Sequence, residues 1–397
     1  MRFVIQGALR GDGTRAVLQR STIIALTSFF TLIDLFGSQA LLPKLVTAFD
    51  TDLATMGLAV NASTFGMAIS GLVVGWYSSK IDRKRGIWLS LVLLSIPTAL
   101  LGVVTDVYLF MALRVLQGVF MAAAFTLSMT YLSEQCDITA ASGAMAAYIT
   151  GNVASNLFGR LLAVGTADAF SLEVSFFIFA GLNLVGGLFA YSLIGPKDTV
   201  PPRDDGSSPL KAWKAHLSRP ELGAGFVIGF LILLVFVGVY TYVNFHLVTR
   251  FSLSPDALGL VYLVFIPSLF TTPFAAPAVR RFGPRPIFWS ASAVTSAGIA
   301  ATLAPSLPLV LIGLALIGMG TFFAQAAATG FIGKAAKTNH AAANGLYLTS
   351  YYIGGLVGAF SLGALYQAGA WPLVAMTVAG AMVIAAILAI FLKVKAD

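Results

Sequence analysis

Twelve apolar runs divide the chain, each near the twenty or so residues that a helix needs to cross a hydrocarbon layer. They lie near 21–47, 55–79, 86–105, 107–132, 140–165 and 173–194, and beyond a polar gap near 222–248, 256–279, 286–304, 307–333, 342–367 and 371–393. A bilayer offers backbone N–H and C=O groups no water, so runs of this length read as helices that satisfy their own hydrogen bonds. Composition agrees: the 397 residues have a mean hydropathy of +0.89 and only 10% are charged, whereas soluble domains carry roughly 25%. Five Trp, twelve Tyr and thirty Phe suit lipid-facing surfaces, interfacial belts and an aromatic-lined cavity. The sequence predicts an all-α integral membrane protein of twelve transmembrane helices in two six-helix bundles.

The expected organisation is a tail over 1–20, a first bundle over 21–194, a linker over 195–221, a second bundle over 222–393 and a short tail over 394–397. The linker, with five Lys/Arg and five Pro, has room for a short amphipathic helix around 210–217 lying on the membrane surface. Lys and Arg are retained on the cytoplasmic side. With a cytoplasmic N-terminus, that side holds four in the tail, four after the second run, five in the linker, three after the eighth, two after the tenth and two at the end. The opposite side keeps Lys44 and Arg250, and Arg114 and Arg160 fall inside runs. Both termini are therefore expected in the cytoplasm, in a multi-pass protein of the inner membrane. The net charge of +8 is explained by orientation, with no nucleic-acid partner.

The first twenty residues lack a continuous apolar core and a small-residue cleavage site, and read as a cytoplasmic tail. The single Cys136 excludes a disulfide framework and a Cys-based metal site. No GxxxxGK[ST] stretch occurs, so ATP is not the expected energy source, and no cofactor or metal is implied. No nucleophile, histidine and acid fall together in one aqueous region, so the sequence does not indicate an enzyme.

The first run holds one acid, Asp34, near its midpoint. Acids are disfavoured at the bilayer centre and mark functional sites when they occur there. The halves also echo each other. Tyr148, Ile149, Gly151 and Gly159 recur at an offset of 204 as Tyr352, Ile353, Gly355 and Gly363, and the basic loop after the second run is matched after the eighth by Arg281, Gly283 and Arg285. Such echoes are how many transporter folds are built.

Two six-helix halves with these marks resemble the major facilitator superfamily over essentially the whole chain. Within it, MTYLSEQ (129–135), YITGN (148–152), GRLL (159–162) and LYLTSYYIGG (346–355) resemble the YnfM-type, drug:proton antiporter-like branch. The resemblance implies a conformational latch after the second helix. Gly75, Arg83 and Lys84 match that signature, while Ser79 stands where an Asp is expected and Asp82 where a Gly is expected, so the latch is either weakened or rebuilt from Asp82. LFMALRVLQG (109–118) places Arg114, Gln117 and Gly118 as in the Arg-containing motif of proton antiporters. GNVASNLFGR (151–160) lacks the usual Pro, but Gly151, Ser155 and Gly159 make one smooth helix face, with Gly143 extending it, and Arg160 follows. Glu173 is a candidate partner for Arg160.

In this fold, as the resemblance implies, the first, fourth, seventh and tenth helices line a central cavity. Asp34 and Arg114 are then the proton-coupling pair, and Phe29, Gln39, Arg160, Tyr240, Asn244, Phe322 and Gln325, with Tyr351 from the LYLTSYYIGG run, are the substrate-binding candidates. The expected function is secondary active transport by alternating access: proton-coupled export of amphipathic or aromatic compounds first, movement of an organic anion or other metabolite second, and a non-transporting receptor or scaffold third. Partners are the bilayer, protons and a small-molecule substrate, and the expected state is a monomer.

Overall fold

The computed structural model describes residues 14–77, 80–135, 138–194, 209–253, 255–336 and 338–392, and every element among them is helical. The first half comprises α1 (Thr14–Ala40), α2 (Leu42–Ala48), α3 (Leu53–Tyr77), α4 (Arg83–Leu100), α5 (Val107–Gln135), α6 (Ile138–Ala169) and α7 (Leu172–Leu193). A short helix, α8 (Pro209–Leu217), leads to the second half: α9 (Pro220–Phe251), α10 (Pro255–Val261), α11 (Ile266–Thr271), α12 (Ala275–Phe282), α13 (Pro284–Ala301), α14 (Leu307–Ala335) and α15 (His340–Leu388). Eight stretches among the described residues are long and apolar enough to cross a membrane. By contrast α4 opens with three consecutive cations or near neighbours, Arg83, Lys84 and Arg85, and α6 is rich in Ala, Gly, Ser and Asn.

Three departures from the expected runs have chemical causes. Pro43 has no N–H to bond the Gln39 carbonyl, so the first run divides into α1 and α2. Pro267, Pro273 and Pro277 break the eighth run, which becomes α10, α11 and α12 joined by 3₁₀ turns at Tyr262–Phe265 and Thr272–Phe274. Inside α15, Gly369 and Ala370 leave helical geometry, Ala370 at φ +52°, and Pro372 restarts the helix beyond them, which separates the eleventh and twelfth runs. At its start α1 takes in residues from Thr14 onward that were expected in the tail. The outer parts of both tails, linker residues 195–208, Ser79 and Cys136 lie outside the described residues.

Close helix contact is made through glycine. A methyl carbon added at Gly151 stands 2.1 Å from the Ala25 carbonyl oxygen, and one at Gly159 stands 2.4 Å from that of Ile33. That clamps α6 on α1 along the expected smooth face, with Ser155 buried between them. Gly143 faces open space and does not extend it. The second half repeats the device between α15 and α9, where carbons added at Gly354 and Gly358 stand 2.0 and 2.5 Å from the Phe230 and Leu234 carbonyl oxygens. Gly66 and Gly118 lock α3 to α5 in the same way, at 2.0 Å from the Val115 oxygen and 1.9 Å from the Ser63 oxygen.

The halves meet where α3 crosses α15. Gly345 lies backbone to backbone with Gly71, and Thr349 Oγ1 donates to the Ala68 carbonyl at 3.0 Å. On the same side, α8 docks by Trp213, edge-on to Trp76 with ring centres 5.4 Å apart, and by buried Ala212 and His216, leaving Leu210 and Leu217 exposed. The linker helix forms as expected, but it packs on protein as well as presenting an apolar edge outward.

These contacts make a sharp contrast testable. Gly118→Ala forces a methyl into the Ser63 carbonyl, and overpacking of this kind costs about 1–3 kcal/mol. Gly181→Ala meets nothing within 4 Å. Thermal unfolding in detergent is expected to show a fall of several degrees for the first and no change for the second.

Candidate functional site

Two buried polar clusters stand out, and each is assembled by the glycine crossings. The first lies wholly inside the first half. Arg114 of α5 is fully buried, held there because Gly66 and Gly118 bring α3 against α5. A guanidinium cannot deprotonate, so every N–H must find an acceptor. Nε and Nη2 donate to the Val60 carbonyl at 3.0 and 2.8 Å, Nη2 to Ser63 Oγ at 3.0 Å, and Nη1 to Ser38 Oγ at 3.2 Å and Gln117 Oε1 at 2.7 Å.

That last bond fixes the Gln117 amide. Its oxygen accepts from Arg114, so its nitrogen must donate, and it does so to Asp34 Oδ2 at 3.0 Å and to Thr98 Oγ1 at 2.7 Å. Asn183 Nδ2 of α7 donates to the same carboxylate oxygen at 3.1 Å, and Thr98 Oγ1 lies 3.0 Å from it. Asp34 is fully buried among α1, α4, α5 and α7. Its Oδ1 has no hydrogen-bond partner among the described residues. A proton on Oδ1 therefore disturbs none of the bonds to Oδ2, whereas an ionised Oδ1 is an unpaired buried anion, a costly state. Asp34 and Arg114 do come together, but through Gln117, and inside the bundle rather than on a cavity wall.

The second cluster joins the halves. Arg160 of α6 is 2% exposed. Nε donates to Asn156 Oδ1 at 3.0 Å, Nη2 donates to Gln39 Oε1 at 2.8 Å, and the guanidinium sits 4.3 Å above the Tyr262 ring of the second half. Gln39 in turn donates to Asn61 Oδ1 at 3.2 Å, and Asn244 donates to the Tyr262 hydroxyl at 2.9 Å. No carboxylate pairs with Arg160 among the described residues, and Glu173 is exposed at the start of α7 rather than beside it. Tyr262 lies parallel to Phe265 at 6.4 Å, and Phe265 belongs to a knot with Phe236, Tyr240 and Phe322. A buried cation edged by amides and aromatic faces can hold a planar anion: the guanidinium fork bonds two oxygens, and the rings supply flat apolar contact.

The substrate-binding candidates thus divide. Gln39, Arg160 and Asn244 share one network through Tyr262, and Tyr240 and Phe322 lie in the adjoining aromatic knot. The Tyr240 hydroxyl is committed to the Leu314 carbonyl at 2.6 Å. Gln325 and Tyr351 are buried elsewhere; Tyr351 packs between Tyr347 and Tyr352. Phe29 stands against Phe30 and the exposed Phe158, outside the Arg160 cluster. The latch candidates take these partners among the described residues. Gly75 lies against Ala341 and Gly345, Asp82 caps α4 by accepting from the Arg85 N–H at 2.7 Å, Arg83 Nη1 donates to the Ile81 carbonyl at 3.0 Å, and Lys84 lies over the Tyr191 ring.

Sequence reasoning missed Thr98, Asn183, Asn156 and Tyr262. Asn156 sits one turn before Arg160, a spacing at which side chains meet on a helix. Gln117 was visible in the Arg114 motif, but its bridging role was not.

A family model described as Major Facilitator Superfamily matches residues 24–270 and 246–397. The chain belongs to that superfamily. It is 27% identical over 375 residues to the inner membrane transport protein YnfM of Escherichia coli strain K12, covering 94% of this chain and 90% of that one. It is 26% identical over 352 residues to an uncharacterized transporter of Buchnera aphidicola subsp. Schizaphis graminum, covering 88% and 85%. The crystal structure of the human organic anion transporter MFSD10 (TETRAN) superposes with a TM-score of 0.72 over 94% of this chain and 98% of that one, at 17% identity, which is a likeness of fold. The chain is a multi-pass membrane transporter and not an enzyme.

Gln117→Leu keeps the volume and removes both halves of the bridge. Leaving a buried donor or acceptor without its partner costs about 1–3 kcal/mol, and more for charged groups such as these. Thermal unfolding is expected several degrees below wild type, and Gln117→Glu, which restores an acceptor for Arg114 but faces Asp34 with oxygen, is expected to be rescued by acid.

Proposed function

We propose that the chain is a proton-coupled secondary transporter whose substrate is an aromatic or amphipathic organic anion bound at Arg160. Twelve spans in two six-helix halves, both termini in the cytoplasm and residence in the inner membrane as a monomer complete the reading, supported by the bias of Lys and Arg to one side. The observation that carries the substrate class is Arg160, buried at the junction of the halves with no carboxylate partner among the described residues. Its surplus charge moves the organic anion, ranked second from the sequence, ahead of the export of amphipathic or aromatic compounds ranked first. The name of the human structural neighbour, an organic anion transporter, points the same way.

Asp34 is the proton site in this reading. Its free Oδ1 holds the proton, and Arg114 acts on it through the Gln117 amide. Protonating Asp34 leaves two buried arginines uncompensated, which favours the anion, so proton and substrate bind together. A proton carried with a monovalent anion moves no net charge, so the pH difference and not the membrane potential drives the step, at about 1.4 kcal/mol per pH unit. Rocking of the halves about the Gly71–Gly345 crossing alternates access, and Gly75, packed against Ala341 and Gly345, belongs to the same contact.

Co-binding drives uptake down an inward proton gradient. The second reading, export in exchange for protons, is favoured by the aromatic knot of Phe236, Tyr240, Phe265 and Phe322, which suits an uncharged amphipathic solute. Proteoliposomes separate them. With an aromatic carboxylate as substrate, Arg160→Gln is expected to weaken binding at least about tenfold, in line with about 1.5–3 kcal/mol for a hydrogen bond to a charged group, and to leave cationic dyes unaffected. Asp34→Asn is expected to bind substrate yet move no protons. Equal losses for anions and dyes in Arg160→Gln overturn the substrate class, and proton movement persisting in Asp34→Asn overturns the coupling.

A further inference from the structure

A cavity of about 650 Å³ lies at one end of the second half, away from both clusters. The end of α12, the turn at Gly283, the start of α13 and the last turns of α14 enclose it. Phe282, Phe331 and Leu392 give it apolar walls; Arg280, Arg285 and Lys334 give it positive charge, and no acidic side chain lines it among the described residues.

Arg285 is the telling group. It is half-buried, and its Nε and Nη2 are shut off from solvent with no hydrogen-bond partner among the described residues. It also stands in the first turn of the 18-residue α13, at the positive end of the helix dipole, where a cation is disfavoured. Gly283, at φ +81°, makes the turn that sets α12 and α13 on either side of the cavity. An arginine placed against its helix dipole, with two donors that meet no acceptor among the described residues, suits an anion. The guanidinium fork matches two phosphate oxygens and Lys334 adds a point charge. The exposed Phe282 beside them suits the glycerol and upper acyl portion of a lipid.

We propose that this cavity binds a phosphate group, carried by an anionic lipid headgroup or by a soluble phosphate. The inference stands apart from the transport reading, because it uses none of the residues assigned to substrate or proton.

The test uses the full chain in phosphatidylcholine nanodiscs, with thermal unfolding followed after adding phosphatidylglycerol to the bilayer or, separately, inorganic phosphate at constant ionic strength. Wild type is expected to gain several degrees, the shift that a ligand near a hundred times its Kd produces. Arg285→Gln and Lys334→Gln are each expected to lose roughly half of that gain or more, while Arg281→Gln, an exposed neighbour outside the cavity, keeps it. A gain with phosphatidylglycerol alone assigns the phosphate to lipid; a gain with inorganic phosphate assigns a soluble source. No gain with either, or an equal gain in the cavity variants, overturns the proposal. Should a Gln variant fail to fold in neutral nanodiscs, Arg285→Lys takes its place, keeping the charge but not the fork, and is expected to show a reduced gain; an undiminished gain counts against the site.

Discussion

The Arg114 guanidinium is buried in the middle of the first half and cannot shed its charge, so its surroundings must be built to satisfy it. Gly66 and Gly118 let α3 approach until the Val60 carbonyl and Ser63 hydroxyl reach the guanidinium, and α1 contributes Ser38. The remaining N–H fixes the Gln117 amide, and the amide fixes which atoms face Asp34. One charge thereby orients a chain of bonds across five helices. Removing one member of such a set costs more than an isolated bond, because each group has been withdrawn from water on condition that its partner is present.

In the proposed reading, the two clusters divide the labour of a coupled transporter. The Asp34 cluster is enclosed in a single half and can accept or release one proton without changing its own bonds. The Arg160 cluster bridges the halves through Tyr262, and in the same reading a solute bound there is held by both and leaves as they separate. The Gly71–Gly345 crossing gives these halves a close backbone contact, with the Thr349 hydroxyl bonded across it to the Ala68 carbonyl.

Much of this was legible in the sequence because it rests on local pattern. The apolar runs mark the helices, the spacing of Gly151, Ser155 and Gly159 marks the α1–α6 contact, and an acid and two arginines inside apolar runs mark the buried charges. What failed was direction. The central-cavity assignment of Asp34 followed from the resemblance, whereas its side chain turns toward Thr98, Gln117 and Asn183 inside the bundle. Glu173 was matched to Arg160 by charge, yet amides and an aromatic ring satisfy the guanidinium. Tyr262 was hidden in an apolar run, where only the prolines at 267, 273 and 277 hint that the helix breaks and redirects its side chains. Such errors arise because periodicity locates a residue along a helix, while the facing partner depends on the crossing of another helix far away in sequence.

The central claim is that Asp34 carries a proton that depends on the anion at Arg160. Infrared difference spectroscopy on the reconstituted protein reads it directly, by comparing the carboxylic acid carbonyl band of wild type and Asp34→Asn as an aromatic carboxylate is added. Co-binding predicts that the band grows with substrate in wild type and is absent from Asp34→Asn. A wild-type spectrum with no Asp34-dependent band at any substrate concentration contradicts it.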